Sequence, residues 1–204
     1  MDFRIVPLCG LLAYEGLALG WRSWLQWRHH GGHGIQLFRS GSWRQHLRDA
    51  LFLALGGVLL IEAVAAARGQ VAVAEGWALR LLGVGLVAAG TVFTVAAQLD
   101  LGASWRVGIE EAARPGLVTT GWYAWSRNPI FFFMLLFVTG FAVLVPTPTS
   151  AGVAIASYVA IRAQVRKEEH YLLRAYGDAY REYARRVGRF VPVLWGLTSR
   201  RAHA

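Results

Sequence analysis

The chain has 204 residues, 55% of them hydrophobic and only 16% charged, with a formal charge of +9. A soluble domain averages about 45–50% apolar and about 25% charged residues, so this balance excludes an ordinary water-soluble fold and points to a bilayer. The basic residues flank long apolar runs instead of forming one wet face, which excludes nucleic acid and favours anionic lipid headgroups, and the single cysteine, Cys9, excludes an internal disulfide or a cysteine-based metal cluster.

About 20 mostly apolar residues are needed to cross the hydrocarbon layer, and five segments come near this length. The first, residues 5–25, contains Glu15. Only Arg4 precedes it as a basic residue and no small-x-small cleavage site follows, so it is expected to be a retained anchor. After it come His29, His30 and His33 among glycines, which read as a flexible loop, since no carboxylate or Cys completes a metal set. The second segment, 50–67, holds Glu62 near its end, and the third is 77–97. Within the third, Gly83, Gly85 and Ala88 match a dinucleotide-binding pattern but follow no strand; close helix packing explains them better.

The fourth segment is 129–145 and the fifth 149–165, joined through Pro146-Thr147-Pro148, a tight helical hairpin. With a cytoplasmic C-terminus, the cytoplasmic stretches 22–48, 98–128 and 166–204 hold seventeen Lys and Arg, against three on the other side. That asymmetry fixes the predicted orientation. From Arg166 onward, Leu172, Tyr176, Tyr180, Tyr183 and Val187 recur at helical spacing and predict an amphipathic helix. The predicted fold is therefore all-α: a polytopic membrane protein with about five transmembrane helices and a cytoplasmic C-terminal amphipathic helix. Residues 1–97 form the first three spans, and 98–204 the cofactor-binding half of one folded unit.

Two features carry chemistry. In residues 117–132, polar sequence turns abruptly apolar at Asn128-Pro129, an N-cap followed by a favoured first helical residue. The pair can simply start the fourth span. The same geometry also offers free N–H groups to an anionic ligand group, with Trp122, Tyr123 and Trp125 near enough in sequence to stack on a ring. The second feature is Glu168-Glu169. The pair reads either as a solvated charge run or as carboxylates held beside the tyrosine stripe, partnered by Arg162 or by the ammonium and sulfonium groups of a cofactor.

Leu101-Gly102-Ala103-Ser104-Trp105-Arg106, the run from Leu117 to Phe131, Glu168-Glu169-His170-Tyr171-Leu172, Tyr176-Gly177-Asp178-Ala179-Tyr180, Tyr183 and Val191-Pro192 follow one another in a specific order and spacing. In these residues the chain resembles the isoprenylcysteine carboxyl methyltransferases and related phospholipid methyltransferases. The resemblance implies a pocket for S-adenosylmethionine near the cytoplasmic ends of the last spans, capped by the tail. It implies cofactor-binding positions at Pro115, Gly116, Leu117, Val118 and Tyr123, at Arg127, Asn128, Pro129, Ile130 and Phe131, and at Glu168 and Glu169. The last five-residue stretch departs from the family's RHPxY motif: Asn replaces His and Phe replaces Tyr.

The resemblance also implies a substrate-facing arginine one turn before the glutamates. Gln164 stands there, flanked by Arg162 and Arg166, and these three are the candidate catalytic positions. The expected activity is methyl transfer to a lipid-soluble or small apolar acceptor at the cytoplasmic membrane face, with the bilayer as partner and no metal. Two other readings stand beside it: an NADPH-dependent membrane reductase of similar C-terminal fold, and a non-enzymatic membrane scaffold.

Overall fold

Helix starts follow local chemistry. The Asp2 carboxylate accepts the Arg4 N–H (3.0 Å) ahead of α1 (Val6–Glu15), satisfying one of the donors every helix leaves unpaired at its N-terminus. A π-helical stretch, Gly16–Trp21, carries α1 into α2 (Arg22–His30). Next come α3 (Trp43–Ala67), α4 (Trp77–Leu101), α5 (Pro129–Leu144) and α6 (Pro148–Arg186). Thr147 and Ser150 close α6 with reciprocal bonds, each hydroxyl accepting the other's backbone N–H. The computed structural model describes residues 2–39, 42–105 and 116–191; an isolated bridge pairs Ser126 with Gly188.

Phe3–His30, Trp43–Ala67 and Trp77–Ser104 are long and apolar enough to cross a membrane, and α5 is a shorter apolar helix. Ile61 on α3, Leu81 and Val92 on α4, and Ile155 and Val159 on α6 are exposed, an apolar surface of a kind soluble proteins rarely carry. The chain is an integral, all-α membrane protein, as its composition indicates. Trp43 and Trp77, 69% and 77% exposed, each open a helix, where aromatic rings favour the lipid–water boundary.

The core joins Leu11, Tyr14, Leu59, Ala63, Val87, Phe137, Phe141 and Leu144, drawn from α1, α3, α4 and α5. The α4–α5 seam is made by glycines. A Cβ on Gly83 would lie 2.6 Å from Leu144 Cδ2, one on Gly140 2.7 Å from the Val87 nitrogen, and one on Gly90 2.6 Å from the Phe137 nitrogen. Close packing, not nucleotide binding, thus accounts for Gly83, whereas Gly85 faces open space. Gly90→Ala is expected to push the two backbones apart and destabilise the fold by about 1–3 kcal/mol. Gly85→Ala should be near neutral by thermal unfolding in detergent.

Two acidic residues of the apolar runs differ in surroundings. Glu62 is buried and accepts a hydrogen bond from the Thr147 hydroxyl (2.6 Å), which ties the end of α3 to the hairpin before α6. Glu15 is half-buried at the end of α1. At the other end of the bundle, the buried Arg22 donates to the Gly102 carbonyl (2.7 Å) and lies over the Trp105 ring (4.6 Å), capping α4 from α2.

The fifth apolar segment continues as helix without a break into the amphipathic stretch as far as Tyr176. Gly177 (φ 51°, ψ −121°) then interrupts it, so Pro148–Arg186 is two helical pieces joined at a kink. Glycine takes that conformation without a Cβ penalty. Beyond it the chain turns back, and Tyr180, Tyr183 and Val187 bury together against Leu117, Leu172 and Tyr176. The apolar spacing predicted this stripe; the bend within it comes from Gly177 alone.

Candidate cofactor site

Consecutive residues on a helix point about 100° apart, so Glu168 and Glu169 enter different surroundings. On one face, Gln164 is buried (4% exposed) and its Nε2 donates to Glu168 Oε1 at 3.0 Å. Desolvation pushes the Glu168 carboxyl up to about 7; the Gln164 bond and Lys167 oppose the rise and Glu169 adds to it. Tyr123 is buried nearby, and burial together with the charge of Glu168 holds its hydroxyl neutral, well above the ordinary tyrosine range. The Tyr183 hydroxyl donates to the Tyr123 carbonyl (2.7 Å), locking the loop before α5 to the folded-back tail. Gln164 Oε1 is buried and has no hydrogen-bond partner among the described residues.

Further polar groups reach this face from α3. Lys167 Nζ donates to Gln45 Oε1 (2.9 Å), and Gln45 Nε2 donates to Asp49 Oδ1 (2.7 Å). Asp49 Oδ2 accepts the Phe38 N–H (2.9 Å), which fixes the preceding loop. Sequence reasoning missed Gln45 and Asp49, because the second span was expected from residue 50 and α3 begins at Trp43. The available signal was two polar residues four apart at the head of an apolar helix.

On the other face, Glu169 is held by two arginines. Arg127 donates to Oε1 through Nε (3.0 Å) and Nη2 (2.8 Å), and Arg189 to Oε2 through Nε (2.9 Å) and Nη2 (2.6 Å). Burial alone would raise the Glu169 carboxyl, but the hydrogen bonds from Arg189 and Arg127 and their charges outweigh it and hold it below the ordinary range. Arg127 Nη1 also donates to the carbonyls of Ala184 (2.9 Å) and Val187 (2.6 Å). Asn128 occupies the N-cap position of α5, but its side chain makes no capping bond. Instead Nδ2 donates to the Arg189 carbonyl (3.1 Å), and the Asn128 N–H finds the Ser126 hydroxyl (3.1 Å). Arg127-Asn128 therefore clamps the tail.

The remaining expected positions distribute as follows. Pro129 is buried at the start of α5, Ile130 and Phe131 are half-buried beside it, and Leu117 and Val118 are half-buried with Gly116 exposed. Pro115 lies outside the described residues. Arg162 is drawn away from both glutamates: it donates to the Tyr158 hydroxyl (3.0 Å) on the exposed side of α6. The cationic partners of Glu169 are Arg127 and Arg189, and sequence reasoning singled out neither for that role. Arg166 is exposed and lies on the Glu169 side. Asp100, from the end of α4, accepts the Trp122 N–H (2.7 Å) against Gly121 (φ +59°), where a Cβ would collide with the carboxylate.

The site thus gathers a desolvated carboxyl, a buried amide with an open acceptor, and a neutral tyrosine at one end of an apolar bundle. Burial raises Glu168 against the opposing Gln164 bond and Lys167 charge, and Gln164 Oε1 lacks a donor among the described residues. Fold and site define an integral membrane protein with a cluster of buried and half-buried polar groups, Tyr123, Gln164 and Glu168 among them, at one end of its apolar bundle. Residues 78–179 match the phospholipid methyltransferase family, and the chain belongs to it.

Relatives include the protein-S-isoprenylcysteine O-methyltransferase of Xenopus laevis, 29% identical over 58% of this chain and 42% of the relative. Protein-S-isoprenylcysteine O-methyltransferase B of Arabidopsis thaliana is 29% identical over 58% of this chain and 61% of its own length. The Tribolium castaneum protein-S-isoprenylcysteine O-methyltransferase is 28% identical over 52% and 39%. The matched region spans less than two thirds of each of these relatives.

Proposed function

We propose that the chain is an S-adenosylmethionine-dependent methyltransferase acting on an apolar acceptor at the cytoplasmic membrane face. The observation that carries this reading is the Glu168–Gln164 pair, a half-buried carboxyl pushed up to about 7 beside an amide oxygen with an open lone pair. The residues present fit the cofactor's methionine end: Glu168 would face its cationic groups, and Gln164 Oε1 would accept from its ammonium. Leu117, Val118 and Tyr123, on the loop before α5, would supply its apolar contacts. The cofactor supplies an activated methyl group, so the protein's task is alignment and exclusion of water. The folded-back tail, clamped by Arg127 and Asn128, serves the second of these. In this reading residues 98–204 carry the cofactor and 1–97 supply the other spans, with Gln45 and Asp49 bracing the site from α3.

The charge asymmetry of the loops supports a cytoplasmic C-terminus. A reporter fused after Ala204 should read as cytoplasmic and one near Gly69 as external; the reverse would remove the site from its cofactor.

The acceptor follows from what surrounds Gln164. Its Nε2 is taken by Glu168, Arg162 is bonded to Tyr158, and Arg166 lies on the Glu169 side, so no guanidinium stands beside it among the described residues. A neutral amide cannot balance a carboxylate. With labelled S-adenosylmethionine, the purified protein should therefore label neutral apolar acceptors bearing an amine, thiol or hydroxyl, and label farnesyl-cysteine carboxylates poorly. Efficient transfer to the farnesyl-cysteine carboxylate, lost in Arg162→Ala or Arg166→Ala, would overturn the assignment.

A further inference from the structure

Asp100 sits in the last turn of α4, which ends at Leu101. A carboxylate there meets the negative end of the helix dipole, so α4 itself gives no reason for an acid at this position. The loop before α5 does. Asp100 Oδ2 accepts the Trp122 N–H at 2.7 Å, and Gly121 beside it takes a positive φ (+59°) at which any Cβ would run into the carboxylate. Residue 121 has to be glycine for the acid to reach the amide.

The turn held in this way is Gly121–Ala124, and it places two side chains. The Trp122 ring joins Phe93 of α4 and Phe133 of α5 in an aromatic triad, with centroids 5.1 to 5.2 Å apart. Tyr123 is buried, and its carbonyl accepts the Tyr183 hydroxyl at 2.7 Å. Burial and then the charges around it, Glu168 and Asp100 among them, hold its hydroxyl neutral. Asp100 thus reaches the cofactor site through one backbone bond, without lining the site itself.

We propose that Asp100 is a positioning residue of the cofactor site: by accepting the Trp122 N–H it sets the Gly121–Ala124 turn, and with it the place of Tyr123 near Glu168. This rests on the reading that Tyr123 and Glu168 hold S-adenosylmethionine. The aromatic triad and the Tyr183 bond keep the loop attached whatever stands at residue 100. Loss of the carboxylate should therefore loosen the turn and leave α4 and α5 folded.

Amide hydrogen exchange on the full chain in detergent, without added ligand, reads the turn directly. In Asp100→Ala the Trp122 amide should exchange roughly tenfold faster while α4 and α5 keep their protection. Asp100→Asn retains a carbonyl oxygen that can accept the same N–H and should restore most of that protection. Affinity for S-adenosylmethionine, from calorimetric titration, should fall roughly five- to tenfold in Asp100→Ala. In a Tyr123→Ala background the same substitution should cost less than about twofold, since no ring is left to place. A general loosening of the bundle would instead cost the same in both backgrounds. Unchanged exchange at Trp122 in Asp100→Ala, or an equal affinity loss with and without the Tyr123 ring, overturns the proposal. A parent protein that bound no S-adenosylmethionine would overturn the cofactor reading instead, and the exchange result would then uphold or overturn the hold of Asp100 on the turn by itself.

Discussion

Arg127→Ala is expected to release residues 184–189 from the bundle and to lower stability by about 3–5 kcal/mol, the range for breaking one partner of a buried ion pair. The side chains of Arg127 and Glu169 are only 13% and 12% exposed, so solvent screens them weakly. Truncation removes two bonds to Glu169 and leaves the carbonyls of Ala184 and Val187 without their donor. Arg127→Lys should recover part of the loss, because a lysine keeps the charge but cannot span the carboxylate and both carbonyls. Acid acts on the same clamp. Since Glu169 is held below the ordinary carboxylate range, the stability it contributes is present above that range and disappears as pH falls through its lowered value. Amide hydrogen exchange across 178–190 reads the outcome. If Arg127→Ala left that protection intact, the tail would be held by its tyrosines alone.

Glu168→Gln should weaken S-adenosylmethionine binding roughly ten- to a hundredfold, the loss of a charge-assisted hydrogen bond. The pH dependence separates this from a mere surface charge. Burial raises Glu168 from 4.5 to about 7. The neutral acid therefore favours the fold below the ordinary value, and that stability is lost as pH rises through about 7. A cationic ligand requires the ionised form, so its affinity should climb with pH, about tenfold per unit, until Glu168 is fully ionised above about 7. In Glu168→Gln both trends should flatten. Calorimetric titration across this range decides the matter: unchanged affinity with an unchanged slope would make Glu168 a bystander.

The long apolar helices, the hairpin at Pro146-Thr147-Pro148 and the amphipathic stripe were legible in the sequence because each rests on local pattern, hydropathy over a window or spacing along one helix. Glu168 and Gln164 were legible for the same reason, lying one turn apart. The clamp was not. Arg127 and Glu169 are 42 residues apart in sequence and meet across the α5–α6 hairpin, and Arg189 and Glu169 are 20 apart, brought together by the reversal at Gly177. Asn128 shows how a correct local inference can mislead. Its position caps α5, yet its side chain accepts nothing from the helix's own N–H groups and instead donates through Nδ2 to the Arg189 carbonyl of the returning chain. Gln45 and Asp49 were hidden because hydropathy locates where a helix is greasy, whereas α3 starts a turn or more earlier, in the polar layer.

The glycine seam between α4 and α5 has a consequence for how this chain can change over time. Positions facing lipid, such as Ile61, Leu81 and Ile155, are constrained only to be apolar, and many residues meet that requirement equally. At Gly90 and Gly140 the neighbouring helix's backbone leaves room for one side chain only, hydrogen, and at Gly83 anything larger must displace Leu144. Information is therefore distributed unevenly along the same apolar segment: nearly none on the outer surface, close to the maximum per residue along the inner line. Two descendants of this chain could differ at most bilayer-facing sites and still superimpose. A single methyl group added at the seam would separate them.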